Sequence, residues 1–230
     1  MKNTVKHIFF DLDHTLWDFD TNSTITLKEL YQRFNLSNHI SSEEDFVREY
    51  KLINEYYWGL YRIDQITKSE LRTIRFEKTF EHFGFSDKQL TQEMAEAYVA
   101  TCPYKRNLMP GCIEILDYLS VKYELHIITN GFQEVQGIKL GESGIANYFT
   151  HVISSEEVEK RKPDPIIFNY AASLTGSLGS ENLMIGDHFD ADVQGALSVG
   201  WHAIHYDPNL VSEKQFKNRI SDLSELKSWL

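Results

Sequence analysis

The chain has 230 residues, 42% of them hydrophobic and 25% charged, the balance of an ordinary globular protein. That length accommodates one large domain or a core carrying an insert, and it buries enough surface to fold without disulfide staples. With 23 Lys and Arg against 34 Asp and Glu the formal net charge is −11, which repels phosphate backbones and anionic lipid and argues against a nucleic-acid polymer or a membrane surface as partner.

The first few residues lead into only four apolar or near-apolar positions before Asp11, too few for the hydrophobic segment of a secretory leader. No later apolar run approaches the roughly 20 residues of a membrane span. Residues 7–10, rich in Ile and Phe and ending in an acid, predict a short buried strand. From 17 to 105 the texture is helical. Ser41-Ser42-Glu43-Glu44 predicts a capping box ahead of Phe46, Tyr50, Ile53, Tyr57 and Leu60. Thr67-Lys68-Ser69-Glu70 predicts another, followed by Leu71, Ile74 and Phe80 and stopped by Gly84. A third start at Ser86-Asp87-Lys88-Gln89 precedes Leu90, Met94 and Ala97. Cys102 and Cys112 have neither framework nor metal-site spacing and read as two reduced thiols, which points to the cytoplasm.

Beyond 105 strands and helices alternate. Pro110-Gly111 opens a helix with Ile113, Leu116 and Leu119 on one face. Strands are predicted at 125–129, 151–154, 183–186 and 202–205. A helix beginning at Pro163 places Ile166, Ile167, Tyr170 and Leu174 at helical spacing, and Val193, Ala196 and Leu197 repeat the arrangement before Gly200. Residues 212–230 read as a polar stretch and a short terminal helix. The expected fold is therefore a doubly wound parallel α/β core, residues 1–16 and 106–230, interrupted by an all-helical cap at 17–105.

The strand ends carry the chemistry. The first delivers Asp11-Leu12-Asp13-His14-Thr15-Leu16, two carboxylates leaving a strand where α/β sheets bind ligands, one able to attack while the other moves a proton. A bare pair of this kind is ordinarily a helix cap or an Asx turn. The second strand ends in Thr129-Asn130-Gly131, a hydroxyl and an amide suited to phosphate oxygens. Lys162-Pro163-Asp164-Pro165 sets an ammonium before a helix N-terminus, which also favours an anion. Gly186-Asp187-His188-Phe189-Asp190-Ala191-Asp192 presents hard oxygen donors of the kind Mg2+ takes. Each segment alone has a structural explanation; all four, in this order after strands or before helices, indicate one site.

The order Asp-x-Asp-x-Thr, strand-terminal Thr, Lys-Pro and Gly-Asp-x-x-x-x-Asp resembles the haloacid dehalogenase-like superfamily of phosphohydrolases over essentially the whole chain. The resemblance implies Asp11 as the nucleophile that becomes an aspartyl-phosphate, and Asp13 as the acid that protonates the leaving oxygen and then activates water. It implies Thr129 and Lys162 as phosphoryl ligands, with Asn130 beside them. Mg2+ would be held by Asp11, the Asp13 backbone carbonyl and Asp187, with Asp192 orienting the ligands or their waters. Asp190 fits a loop acid better than a ligand. Asp11-Leu12-Asp13-His14-Thr15-Leu16-Trp17-Asp18-Phe19-Asp20, and Thr129-Asn130-Gly131-Phe132 followed by Gln136, Lys139-Leu140 and Ser143-Gly144, are similar to the pyrimidine 5′-nucleotidases that also hydrolyse non-standard nucleotides.

The resemblance thus implies a monomer or homodimer acting on a small phosphorylated metabolite, a nucleotide by the finer match. A sugar-phosphate or phosphoglycolate phosphatase or mutase would share the catalytic residues. A dehalogenase would not need Asp13, Asp187 and Asp192, and a non-catalytic regulator would be expected to have lost a group that is present here. The sequence departs from the family at His14, where many members carry Gly, at His188, where Ser or Thr is usual, and at Glu159-Lys160-Arg161 before Lys162. Both histidines read as polar side chains at the edge of the site. Tyr56, Tyr57, Trp58 and Tyr61, with Arg62, Arg72 and Arg75, are compatible with stacking on a base and equally with the helical core, so no base-binding residue is named.

Overall fold

The computed structural model describes residues 4–210, 212 and 216–230. Met1, Lys2 and Asn3, part of the stretch discussed as a leader, and part of the polar stretch after 212 lie outside the described residues. The chain divides into two compact units, one running through Phe19 and resuming at Arg106, the other spanning Asp20–Lys105.

In the first unit, β1 (His7–Phe10), β2 (Glu124–Thr129), β3 (Phe149–Ser154), β4 (Asn182–Gly186), β5 (His202–Tyr206) and β6 (Arg219–Ile220) form a parallel sheet of six strands among the described residues, in the order β3-β2-β1-β4-β5-β6. Central strands read as unbroken apolar runs because helices cover both faces of such a sheet; Ile8, Phe9 and Phe10 and all of β4 are buried. β6 pairs only two residues with β5 and was not foreseen, being too short to show any periodicity. The helices of this unit are α5 (Cys112–Ser120), α6 (Gln133–Glu142), α7 (Ser155–Val158), α8 (Pro165–Thr175), α9 (Gly195–Ser198) and α10 (Leu226–Trp229), with a π-helical turn at Phe189–Gln194 ahead of α9.

The helix faces differ from the expected ones. Ile113, Ile166, Leu174 and Leu197 are exposed, between 39% and 49%, while α8 buries Ile167, Phe168 and Ala171. Phe168 packs edge-on to Trp201, which in turn lies 4.6 Å from Phe9 on the sheet. Aromatic pairs of this geometry contribute about 0.5–1.5 kcal/mol beyond their buried area, and that anchor turns the helix toward Phe168 rather than Ile166.

The second unit is helical: α1 (Phe19–Arg33), whose first residue still belongs to the first unit, then α2 (Glu43–Arg62), α3 (Lys68–His82) and α4 (Lys88–Thr101). Thr67 and Glu70 form the expected capping box of α3. The cap of α2 is Ser42, whose hydroxyl accepts from the Asp45 N–H at 3.1 Å, and that of α4 is Asp87, which accepts from Leu90. Inside this unit Arg75 is buried, its guanidinium donating to Asn54 Oδ1 at 2.8 Å and to the Leu71 carbonyl and lying 5.5–5.8 Å from the rings of Tyr98 and Tyr50. Tyr61 is buried as well, whereas Tyr56 is 63% exposed. No helix among the described residues is long and apolar enough to cross a membrane.

Candidate active site

The chain moves outward from β1 to β2 and β3 and then crosses back to lay β4 against the other side of β1. Ligands in open α/β sheets bind beyond the carboxyl ends of the strands at such a reversal. Asp11 follows β1 and stays in register with β4, its N–H donating to the Ile185 carbonyl at 2.9 Å. Asp187 follows β4, and Thr129 closes β2.

Lys162, only 2% exposed, joins these ends. Its ammonium donates to Asp11 Oδ1 at 2.6 Å and to the Ile128 carbonyl at 2.7 Å, and lies 2.6 Å from Asp192 Oδ1. The other oxygen of Asp192 accepts from the His188 N–H at 3.0 Å. Thr15, fully buried, donates its hydroxyl proton to Asp187 Oδ1 and accepts from the Asp187 N–H, both at 3.1 Å, and so holds the start of the acidic loop to the first strand's loop. Gly186 leaves room for this arrangement. A Cβ there would sit 2.2 Å from Asp192 Oδ2, so any side chain would displace the carboxylate.

Asp11, Asp187 and Asp192 bring carboxylate oxygens within 4.8 Å of one another. Burial raises the Asp11 carboxyl well above the ordinary range; Lys162 opposes this, while Asp192 and Asp187 add to it. Burial, followed by the nearby Asp192, pushes Asp187 up to about 7. Burial works against the charged form of Lys162, yet Asp11 and Asp192 outweigh it and hold the ammonium above its usual value. Three carboxylates against one ammonium leave two negative charges in excess when all are ionised. A divalent cation with hard oxygen ligands matches both that charge and that donor set, so the residues fit Mg2+.

Asp13 points to a different partner. Both of its oxygens accept from the Lys139 ammonium, at 2.6 and 2.8 Å. Lys139 is 5% exposed and lies 4.6 Å from the centre of the Trp17 ring. Sequence reasoning noted Lys139 only as part of a family pattern, since nothing in its position on α6 announces a partner 126 residues away. Thr15 was likewise seen only as part of the first motif.

Asn130, expected beside the phosphoryl ligands, donates to the Lys162 carbonyl at 3.0 Å and accepts from the Lys162 N–H at 2.8 Å. Two hydrogen bonds to one backbone unit make it a positioning residue for Lys162. Thr129, 1% exposed, accepts from the Gly131 N–H at 3.0 Å and stands next to the Ile128 carbonyl that Lys162 contacts. His14 adopts φ 65°, the left-handed conformation for which many family members use Gly, and its ring lies 4.9 Å from that of Phe19. His188 caps the π-helical turn, its Nδ1 accepting from the Ala191 N–H at 3.2 Å.

A haloacid dehalogenase-like hydrolase family model matches residues 5–200. The chain is 32% identical over 206 residues to the pyrimidine 5′-nucleotidase PynA of Streptococcus pneumoniae, covering 89% of this chain and 84% of the relative. It is 31% identical over 194 residues to the pyrimidine 5′-nucleotidase YjjG of Escherichia coli, covering 84% and 82%. The crystal structure of the putative hydrolase YfnB of Bacillus subtilis, bound to magnesium, superposes with a TM-score of 0.89 at 25% identity over 99% of both chains.

Proposed function

The chain belongs to the haloacid dehalogenase-like hydrolases, and from that premise we propose that it hydrolyses nucleoside 5′-monophosphates, pyrimidine ones first, with Asp11 as the nucleophile. It is an enzyme of the phosphatase type. The observation that carries the chemistry is Lys162, buried and 2.6 Å from both Asp11 and Asp192.

In this reading an Asp11 oxygen attacks phosphorus and the ester bond to the nucleoside oxygen breaks. Asp13 gives that oxygen a proton, and the phosphoryl group remains on Asp11. Asp13, now a carboxylate, takes a proton from water as the water attacks the same phosphorus; the Asp11–phosphorus bond breaks and phosphate leaves. Lys162 and Thr129 bind the phosphoryl oxygens, which lets an anionic nucleophile meet an anionic substrate. Asp11, Asp187 and the Asp13 carbonyl would hold Mg2+, with Asp192 alongside. When bound, the ion would neutralise charge on the carboxylates and on the phosphoryl oxygens.

None of these groups reads the leaving nucleoside. The preference for a pyrimidine rests on the two nucleotidase relatives. Stacking on one aromatic face contributes about 1 kcal/mol, which supports a broad enzyme with a preference of roughly fivefold. The test is kcat/KM for dUMP, dTMP, AMP, phosphoglycolate and glucose phosphates with Mg2+ present. The proposal predicts the pyrimidine nucleotides first. A non-nucleotide leading by about tenfold or more would overturn the substrate assignment and leave the phosphatase chemistry intact.

A further inference from the structure

At the other end of β1, away from Asp11, a second group of metal-ligating side chains stands on the sheet. His7 pairs with Glu124 and Phe9 with His126 across the parallel strands β1 and β2. With side chains alternating between faces, His7, Glu124 and His126 share one face. The His7 Nδ1 lies 3.3 Å from the His126 Nε2 and 3.2 Å from a Glu124 oxygen. All three ligand atoms lie within 4.8 Å of one another.

Those two separations have a simple meaning. Donors about 2.0–2.1 Å from a tetrahedral ion lie roughly 3.3–3.4 Å from each other, because a tetrahedral edge is about 1.6 times the metal–ligand distance. The His7 nitrogen therefore already stands one such edge from each of the other two donors. His126 is fully buried, and its ring is sandwiched between Phe9 at 4.6 Å and His151 at 5.3 Å, so this ligand is held in place before any ion arrives. The side chain of Glu124 is 63% exposed and that of His7 is 12% exposed, which leaves an approach from solvent.

We propose that His7, Glu124 and His126 form a binding site for a zinc-class divalent ion that ties β1 to β2 at their amino ends. Two imidazoles and one carboxylate suit zinc and its first-row neighbours, whereas the all-carboxylate group around Asp11 suits Mg2+. The two sites stand at opposite ends of a strand of four residues, about 13 Å of extended chain, and are independent.

The experiment uses tag-free, chelator-stripped protein, titrated with Zn2+ by calorimetry in excess Mg2+ and with Co2+ followed by its visible absorption. The proposal predicts one Zn2+ per chain, a raised Tm, and Co2+ bands of four-coordinate intensity. It predicts that Glu124→Gln and His7→Gln each weaken Zn2+ at least tenfold, with phosphatase kcat in Mg2+ unchanged, while Asp11→Asn binds Zn2+ as the wild type does. Glu124 is exposed, so its variant reads binding without threatening the fold. Zn2+ affinity unaltered in both Glu124→Gln and His7→Gln, or lost in Asp11→Asn, would overturn the proposal; it would then be the pair of unmetallated contacts, His7 to His126 and His7 to Glu124, that the structure uses.

Discussion

Lys139, on α6, holds both carboxylate oxygens of Asp13, at 2.6 and 2.8 Å. The contact fixes the rotamer of the group assigned to proton transfer. Lys139→Met keeps the stem against Trp17 and removes the charge. It is expected to lower kcat by about 10–100-fold, at or below the lower end of the roughly 100- to 10,000-fold contribution of positioned acid–base catalysis because Asp13 itself remains, with little change in KM. The loss should be larger for UMP than for an activated aryl phosphate, whose leaving group needs no proton, and Asp13→Asn should show the same ordering more strongly. Equal losses on both substrates in single-turnover phosphorylation would assign the pair to structural support.

Mg2+ binding should tighten as pH rises. Burial pushes Asp187 up to about 7 and Asp11 above its ordinary range, so without metal these two carboxyls bind more protons in the folded than in the unfolded chain between about pH 4 and 7. Their own contribution to stability therefore falls as pH rises through that window. A divalent cation favours the ionised carboxylates and reverses the trend. The rise in Tm produced by Mg2+ is expected to be larger at pH 8 than at pH 5, with proton release on binding seen by calorimetry in buffers of different ionisation enthalpy. An Mg2+ effect on Tm that shrinks as pH rises would contradict this account of the cluster.

Gly186→Ala should damage the site more than the fold. The Cβ added on the strand that delivers Asp187 meets the Asp192 side chain at 2.2–2.7 Å. Overpacking of this kind costs about 1–3 kcal/mol, and the group displaced is an ion partner of Lys162. A lower Tm together with at least a tenfold loss of kcat is expected. Unchanged kinetics would show that the position of Asp192 matters little.

What could be read in the sequence was whatever the sheet makes local. The strands ending at Phe10, Thr129 and Gly186 showed as apolar runs because both faces are covered, and their ends delivered Asp11, Thr129 and Asp187 to one rim. The relationships that escaped are long-range and set by packing. Lys139 is only one residue of a family pattern until α6 brings it to Asp13. Asn130 offers the same amide whether it faces a phosphate or the backbone of Lys162, and only the turn decides. The face of α8 was misread by one residue because Ile166 and Phe168 are equally apolar, and it is Trp201 that selects between them.

The central claim is that Asp11 carries phosphate hydrolysis, and the most direct measurement is kcat for UMP hydrolysis by Asp11→Asn in Mg2+, with the fold checked by its thermal transition. The substitution keeps the shape of the side chain and removes the anionic oxygen that would attack phosphorus. The account predicts a folded protein whose turnover has fallen by several orders of magnitude. A folded Asp11→Asn protein that keeps a tenth or more of wild-type kcat would contradict it.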